Sequence, residues 1–170
     1  SPAAAEYKSL SDWHLGDPCC DYKLIQPEVE HIANMPNAYA ILAGDLCNNA
    51  TTASISDTYA ERLSPMEQIS KAVGILRPIK DKILCATQGN HCERTYRQDG
   101  VDITRLICRE LGTEDNYRED FCFMFLSFGQ KSRRAAEGRK QTYTVYVNHG
   151  SRGGRKVGGK ANALSDLSCI

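Results

Sequence analysis

The ten residues 82–91, KILCATQGNH, constrain the fold of this chain more than any other stretch. Ile83, Leu84, Cys85 and Ala86 make an apolar run too short for a helix, so they read as a buried strand. Gly89 ends the run and permits a sharp turn. Asn90 and His91 then stand at the strand's carboxyl end, where open α/β sheets place their ligands. An amide oxygen beside an imidazole suits metal and phosphate chemistry. Taken alone, a Gly-Asn-His triplet reads as a turn with an exposed histidine, so the other strand ends must decide.

They repeat the design. Residues 39–43, YAILA, form a second apolar strand that ends in Gly44-Asp45. A short strand candidate at 7–10 leads into Asp12-Trp13-His14. If the backbone is still extended there, Asp12 and His14 share one face and offer a carboxylate and an imidazole to a metal. Residues 121–128 are apolar and aromatic, and 142–147 alternate β-branched and aromatic side chains. These two segments read as a hairpin joined by the loop 129–140, and the second ends in Asn148-His149-Gly150.

Helices are predicted between the strands. Pro27 suits a first helical turn, followed by the stripe Val29, Ile32 and Ala33 and a stop at Pro36. Ser64, Pro65 and Glu67 form a capped helix start, with Ile69, Val73 and Leu76 as the buried stripe and Gly74 as a weak point. A third helix runs over about 101–111, with Ile103, Leu106 and Ile107 inward and Gly112 as its stop. Residues 50–57 read as a loop, and the end of the chain as a weak helical segment.

With 170 residues and 41% hydrophobic content the chain can bury a real core, and it reads as one domain over residues 6–170, the first five being set aside. No apolar run reaches membrane-spanning length, and no charged-then-apolar leader opens the chain. The eight cysteines are scattered without a CxxC pair, which favours reduced thiols in a cytoplasmic setting. Net charge is zero but uneven. Lys131, Arg133, Arg134, Arg139, Lys140, Arg152, Arg155, Lys156 and Lys160 are opposed in that span by Glu137 alone. Such a cluster is either a solvated loop or a contact for an anionic partner.

Taken in order, Asp12-Trp13-His14, Gly44-Asp45, Gly89-Asn90-His91 and His149 resemble the calcineurin-like metallophosphoesterases, whose pattern runs DxH, GD, GNH, a lone His and a closing GHxH. The resemblance spans most of the chain. It implies an α/β (α+β) fold, a sandwich of two mixed β-sheets packed face to face with helices outside. It also implies two divalent ions, manganese foremost, with zinc, iron or nickel as other fits to an Asp/His/Asn donor set. Asp12 and His14 would hold one ion and Asn90 and His149 the other, with Asp45 bridging. His91 would be the general acid that protonates the leaving oxygen. Asn90, through its amide nitrogen, and Arg94 are the substrate-binding candidates, though Arg94 also reads as a solvent-exposed side chain.

The chain has four histidines, His14, His31, His91 and His149, so the closing GHxH is absent. Either the chain is a fragment that ends before the last strand, leaving the domain incomplete at its C-terminus, or it is whole with a thinner site. His31, on a predicted helix, reads as an ordinary surface residue. Cys92, Cys19, Cys20 and Cys47 are alternative thiolate ligands for a soft metal, though their spacing is that of no dedicated site. Trp13 either packs or stacks on a base or sugar.

The leading expectation is a two-metal phosphoesterase, the basic cluster tilting its substrate toward DNA or RNA. A phosphomonoesterase or nucleotide phosphatase is the alternative. A non-catalytic module with the same fold is the third reading, prompted by the missing motif.

Overall fold

The computed structural model describes residues 5–51, 59–129 and 141–150. Four parallel strands, β1 (Glu6–Leu10), β2 (Ala38–Ala43), β3 (Ile83–Thr87) and β4 (Tyr117–Arg118), pair in the order β1-β2-β3-β4. Four α-helices connect them: α1 (Tyr22–Asn34), α2 (Pro65–Leu76), α3 (Asn90–Asp99) and α4 (Ile103–Leu111). The chain then forms the antiparallel pair β5 (Phe121–Phe128) and β6 (Gln141–Asn148), in register from Phe121 opposite Asn148 to Phe128 opposite Gln141. The architecture is mixed α/β, with one parallel and one antiparallel sheet flanked by helices. Each sheet is uniform in strand direction among the described residues, so the expectation of two mixed sheets is corrected.

Alternation along β2 explains the layering. Ala38, Ala40 and Leu42 join the larger core with Ile25, Val29 and Ile32 of α1, Ile69 and Val73 of α2, and Ile107 and Leu111 of α4. Ile41 points the other way and packs with Cys85 against Met124 and Val147 of the hairpin. The parallel sheet is thus covered on both faces, as its continuous apolar strands require.

The capping box at α2 is present: Ser64 Oγ accepts from the Glu67 amide, and Glu67 returns a bond to the Ser64 amide at 2.8 Å. Helix α4 starts on Asp102 and ends at Gly112 in the left-handed conformation. Helix α1 departs from expectation. It begins at Tyr22, five residues before Pro27, because Asp21 caps it by accepting from the Lys23 amide at 3.0 Å. Pro27 therefore lies inside the helix, where it removes one intrahelical donor. Lys82 compensates at the far end, donating to the carbonyls of Ile32 and Met35, each at 2.6 Å.

Gly74 lies exposed in the interior of α2, and a Cβ there would meet nothing within 4 Å. Gly74→Ala is expected to raise stability by about 0.5–1 kcal/mol in urea unfolding, since it narrows the unfolded ensemble without native strain.

No helix among the described residues is long and apolar enough to cross a membrane. The basic cluster of 131–140 and 152–160 lies outside the described residues, as do the first four residues, residues 52–58 of the expected loop and the C-terminal segment from 151.

Candidate metal centre

The centre forms at the carboxyl ends of β1, β2 and β3. After β1 and β2 the two chains stay paired: the Asp12 amide donates to Gly44 O at 3.2 Å, His14 to Asp45 O at 3.1 Å and Leu15 to Leu46 O at 2.9 Å. This zipper carries Asp12 and His14 alongside Asp45. The backbone there is not extended. Asp12, His14 and Asp45 have φ of +54°, +47° and +50°, so the expected shared face from strand periodicity is replaced by three left-handed residues. Each costs on the order of 1 kcal/mol, and such strain concentrates at functional sites.

The two motif glycines have a steric explanation. Gly89 has extended dihedrals, φ −106° and ψ 169°, so the expected sharp turn is not its purpose. A Cβ on Gly89 would lie 2.1 Å from Asp45 Oδ1 and 2.3 Å from the Asp45 amide nitrogen. A Cβ on Gly44, whose φ is +91°, would lie 2.7 Å from the His149 ring and 2.8 Å from Gly89 Cα. Gly44 and Gly89 are the gaps into which a carboxylate and an imidazole fit.

Asn90 and His91 are not on a loose tip, because they open α3. That helix has no apolar periodicity. It is held by the left-handed Gly100 after its end and by a Glu93–Arg97 pair at 2.6 Å, and Cys92 is its buried residue. Its first turn faces Asp45, whose Oδ1 accepts the His91 amide at 2.8 Å. Burial alone would raise the Asp45 carboxyl, but hydrogen bonds from His149 and from the His91 amide outweigh it and hold the group below its usual range.

His149, just past β6, crosses to the parallel sheet. Its Nδ1 donates to Ala43 O at 2.7 Å, while Nε2 lies 3.0 Å from Asp45 Oδ2 and 3.1 Å from Asn90 Oδ1. Both neighbours of Nε2 are acceptors, so without a metal this nitrogen carries a proton. The hydrogen bond to Asp45 accordingly raises His149 to about 9. The proton occupies the place a cation would take. With oxygen donors 3.0 and 3.1 Å away, Nε2 is spaced from Asp45 and Asn90 as ligands of one divalent ion are.

A second donor set shares Asp45. His14, Asp45 and His91 place one ligand atom each within 4.8 Å of one another, as do Asp12, Asp45 and His149. The His14 and His91 rings meet edge-on with centroids 4.3 Å apart, and His14 Nε2 lies 3.8 Å from Asp12 Oδ1. His14 Nδ1 is buried with no hydrogen-bond partner. Two carboxylates among three imidazoles and an amide form an oxygen- and nitrogen-rich set that suits manganese, iron or zinc.

The six residues expected as metal ligands or general acid, Asp12, His14, Asp45, Asn90, His91 and His149, therefore converge. The carboxylate and imidazole triads, however, group His14 with His91 and Asp12 with His149, and not Asp12 with His14 as expected. His91 also falls within reach of the donor set, besides its expected role in proton transfer. Its Nδ1 donates to Asn48 O at 2.8 Å, and burial pushes its pKa below the usual value, with the Arg94 and His14 charges pushing the same way. Arg94 sits close by with Nη1 buried and unpartnered, so it is more than a solvated surface arginine. His31 pairs with Glu6 at 2.8 Å, remote from the centre. Trp13 is 8% exposed and packs in the core, leaving little ring to stack on a base.

The thiolate alternative finds no support among the described residues: neither group of possible metal ligands includes a cysteine, and Cys47 and Cys92 are buried, with desolvation pushing both thiols up. Sequence reasoning missed Asn48 and Asn49, which follow the Gly-Asp pair. Consecutive asparagines after a tight turn were the available signal, since asparagine tolerates the left-handed φ of +48° that Asn49 adopts.

Two depressions flank the centre. One of about 620 Å³ is bordered by Asp12, Trp13, His14 and His91, and among the described residues carries Asp17, Asp21 and Glu28 but no lysine or arginine. The other, of about 170 Å³, is bordered by Asn90, Arg97, Asn148 and His149. No family model, no curated protein and no solved structure matches this chain. Its functional reading therefore rests on the geometry.

Proposed function

We propose that the chain is a metal-dependent phosphoesterase of the calcineurin-like type. The observation that carries this reading is the convergence of three other separated segments on Asp45, in the chain order of the motifs that resemble that family. Asp12 and His14 would hold one divalent ion and Asn90 and His149 a second, with Asp45 shared. Such ions supply Lewis acidity, which neutralises phosphoryl charge and acidifies water.

The chain's own groups do the rest. Asp45 keeps its negative charge through the His91 amide and His149, so it remains a ligand at neutral pH. His91 Nδ1 is tied to Asn48 O, which leaves Nε2 directed at the site. In the free protein burial keeps this imidazole neutral. An arriving phosphate ester brings negative charge that raises its pKa, so Nε2 takes a proton and passes it to the leaving oxygen. Arg94 supplies a fixed positive charge for a non-reacting phosphoryl oxygen.

The test is hydrolysis of a chromogenic phosphodiester and monoester after chelation and manganese add-back. His91→Asn is expected to lower metal-restored turnover by about 10²–10⁴-fold, the usual worth of general acid catalysis. Turnover without metal, or turnover unaffected by the substitution, would overturn the reading.

A second reading, a small-ester phosphatase in place of a nuclease, is favoured by the larger cleft. Its described lining carries Asp12, Asp17, Asp21 and Glu28, whose charge repels a phosphate backbone. Oligonucleotide affinity that falls steeply with salt would favour the nuclease, and monoester preference the phosphatase.

A further inference from the structure

Helix α2 lies outside the motifs, yet one of its residues is wired to the centre. Gln68 is fully buried. It occupies the inward stripe of α2 beside Ile69 and one turn before Ala72, where an apolar residue would be expected. A buried carboxamide needs partners for all its polar atoms, and Gln68 has them. Its Oε1 accepts the Asn49 amide at 2.9 Å, and its Nε2 donates to Leu63 O at 2.9 Å and to the Glu61 carboxylate. Glu61 in turn accepts from Asn48 Nδ2 at 2.7 Å and from the Ala50 amide at 2.9 Å.

The amide of Asn49 and both neighbours in the chain are thus pinned from one side by Gln68 and Glu61. From the other side Asn49 Nδ2 donates to His91 O at 3.0 Å and to Thr95 Oγ1 at 2.6 Å, which clamps the first turn of α3. Between these anchors lies the Asn48 carbonyl that receives His91 Nδ1. The route has no slack. Asn49 is held at φ +48°, and Gly16 is compressed against the same carboxamide, its missing Cβ position falling 2.4 Å from Gln68 Nε2.

The geometry points to Gln68 as a positioning residue for His91: through the Asn49 amide and Glu61 it fixes the Asn48 carbonyl, and that carbonyl selects the His91 tautomer with hydrogen on Nδ1 and Nε2 facing the centre. Gln68 touches no ligand position itself. It acts by denying the ring its alternative orientation, the part outer-shell partners play for histidines in other sites. This rests on the proposed proton-transfer role of His91, and the ring-nitrogen measurement below stands apart from that role.

Gln68→Met preserves length and volume while removing both amide functions. Long-range ¹⁵N correlation spectra of the full chain report which His91 ring nitrogen carries hydrogen. The expected result is a single Nδ1–H form in the parent and a mixture of tautomers in Gln68→Met, with manganese affinity changed by less than about threefold. Ester turnover should then fall by about 10–100-fold in kcat with KM unchanged, the range typical of outer-shell partners. A folded Gln68→Met that keeps the single Nδ1–H form would overturn the inference. Should that variant not fold, Gln68→Glu serves, because it keeps the shape and the acceptor for the Asn49 amide while replacing the donor to Leu63 O and Glu61 with a second carboxylate. An unchanged His91 ring in Gln68→Glu would equally overturn it. If the parent hydrolysed no ester, the phosphoesterase reading would fall while the tautomer comparison still decided the inference.

Discussion

Asp45→Asn is expected to lower manganese affinity by at least about 100-fold, beyond the 10–100-fold typical of changes outside the ligand shell. Asp45 is common to both donor sets and is 2% exposed. The substitution keeps the shape and removes the charge, so the loss isolates electrostatics from packing. It also has a signature without metal. The His149–Asp45 pair raises His149 from 6.5 to about 9, and Asp45 lies below its ordinary 3.8. The raised histidine contributes stability in full below pH 6.5 and loses it as pH rises through about 9. The lowered carboxyl contributes above pH 3.8 and loses its share as pH falls through the depressed value. Metal-free parent protein is thus expected to lose stability on both sides of that window relative to Asp45→Asn, which lacks the pair. Thermal unfolding at a series of pH values in chelator reads the difference.

Gly89→Ala should be the most damaging single methyl in the molecule. Ordinary overpacking costs about 1–3 kcal/mol because neighbouring side chains can shift. Here the nearest atoms are the Asp45 carboxylate and the Asp45 backbone nitrogen, which the parallel pairing after β1 and β2 fixes. The expected cost is about 3 kcal/mol or more, together with loss of metal binding, since Asp45 must leave its place to admit the methyl. Urea unfolding and manganese titration check the two parts. A variant with near-parental stability and affinity would show that the approach of Gly89 to Asp45 is not tight.

All the strands but β4, and two of the helices, were legible because they obey period rules. Residues 39–43 and 83–86 are uninterrupted apolar runs, as strands buried on both faces must be. Ser64, Pro65 and Glu67 spell a helix start in local chemistry that tertiary contacts have no reason to override. Helix α3 was illegible for the opposite reason. Residues 90–99, NHCERTYRQD, have no stripe, and the helix exists because Gly89 and Gly100 bound it and Asp45 receives its first turn. Pro27 misled because proline favours a helix start statistically, while Asp21 supplied the actual cap.

The site residues were legible by kind and order, while their geometry was not. Period-2 reasoning placed Asp12 and His14 on one face, yet left-handed dihedrals bring them to Asp45. Such conformations are set by the pairing of two loops, which is long-range information absent from a local window. The same holds for Gly44 and Gly89. Sequence suggests turns, whereas their surroundings show that at Gly89 the absence of a side chain matters in place of the freedom of the backbone. Gln68 was hidden by its neighbours, since a polar residue on an otherwise apolar stripe reads as noise until its partners are seen.

The most direct test of the account is a manganese titration of chelated protein, followed by electron paramagnetic resonance, beside Asp45→Asn. The account predicts a site tighter than about 1 mM in the parent, lost in the variant. It further predicts magnetic coupling between ions as the second position fills, because Asp45 is shared. No site tighter than about 1 mM in the parent, or binding that Asp45→Asn leaves unchanged, would contradict it.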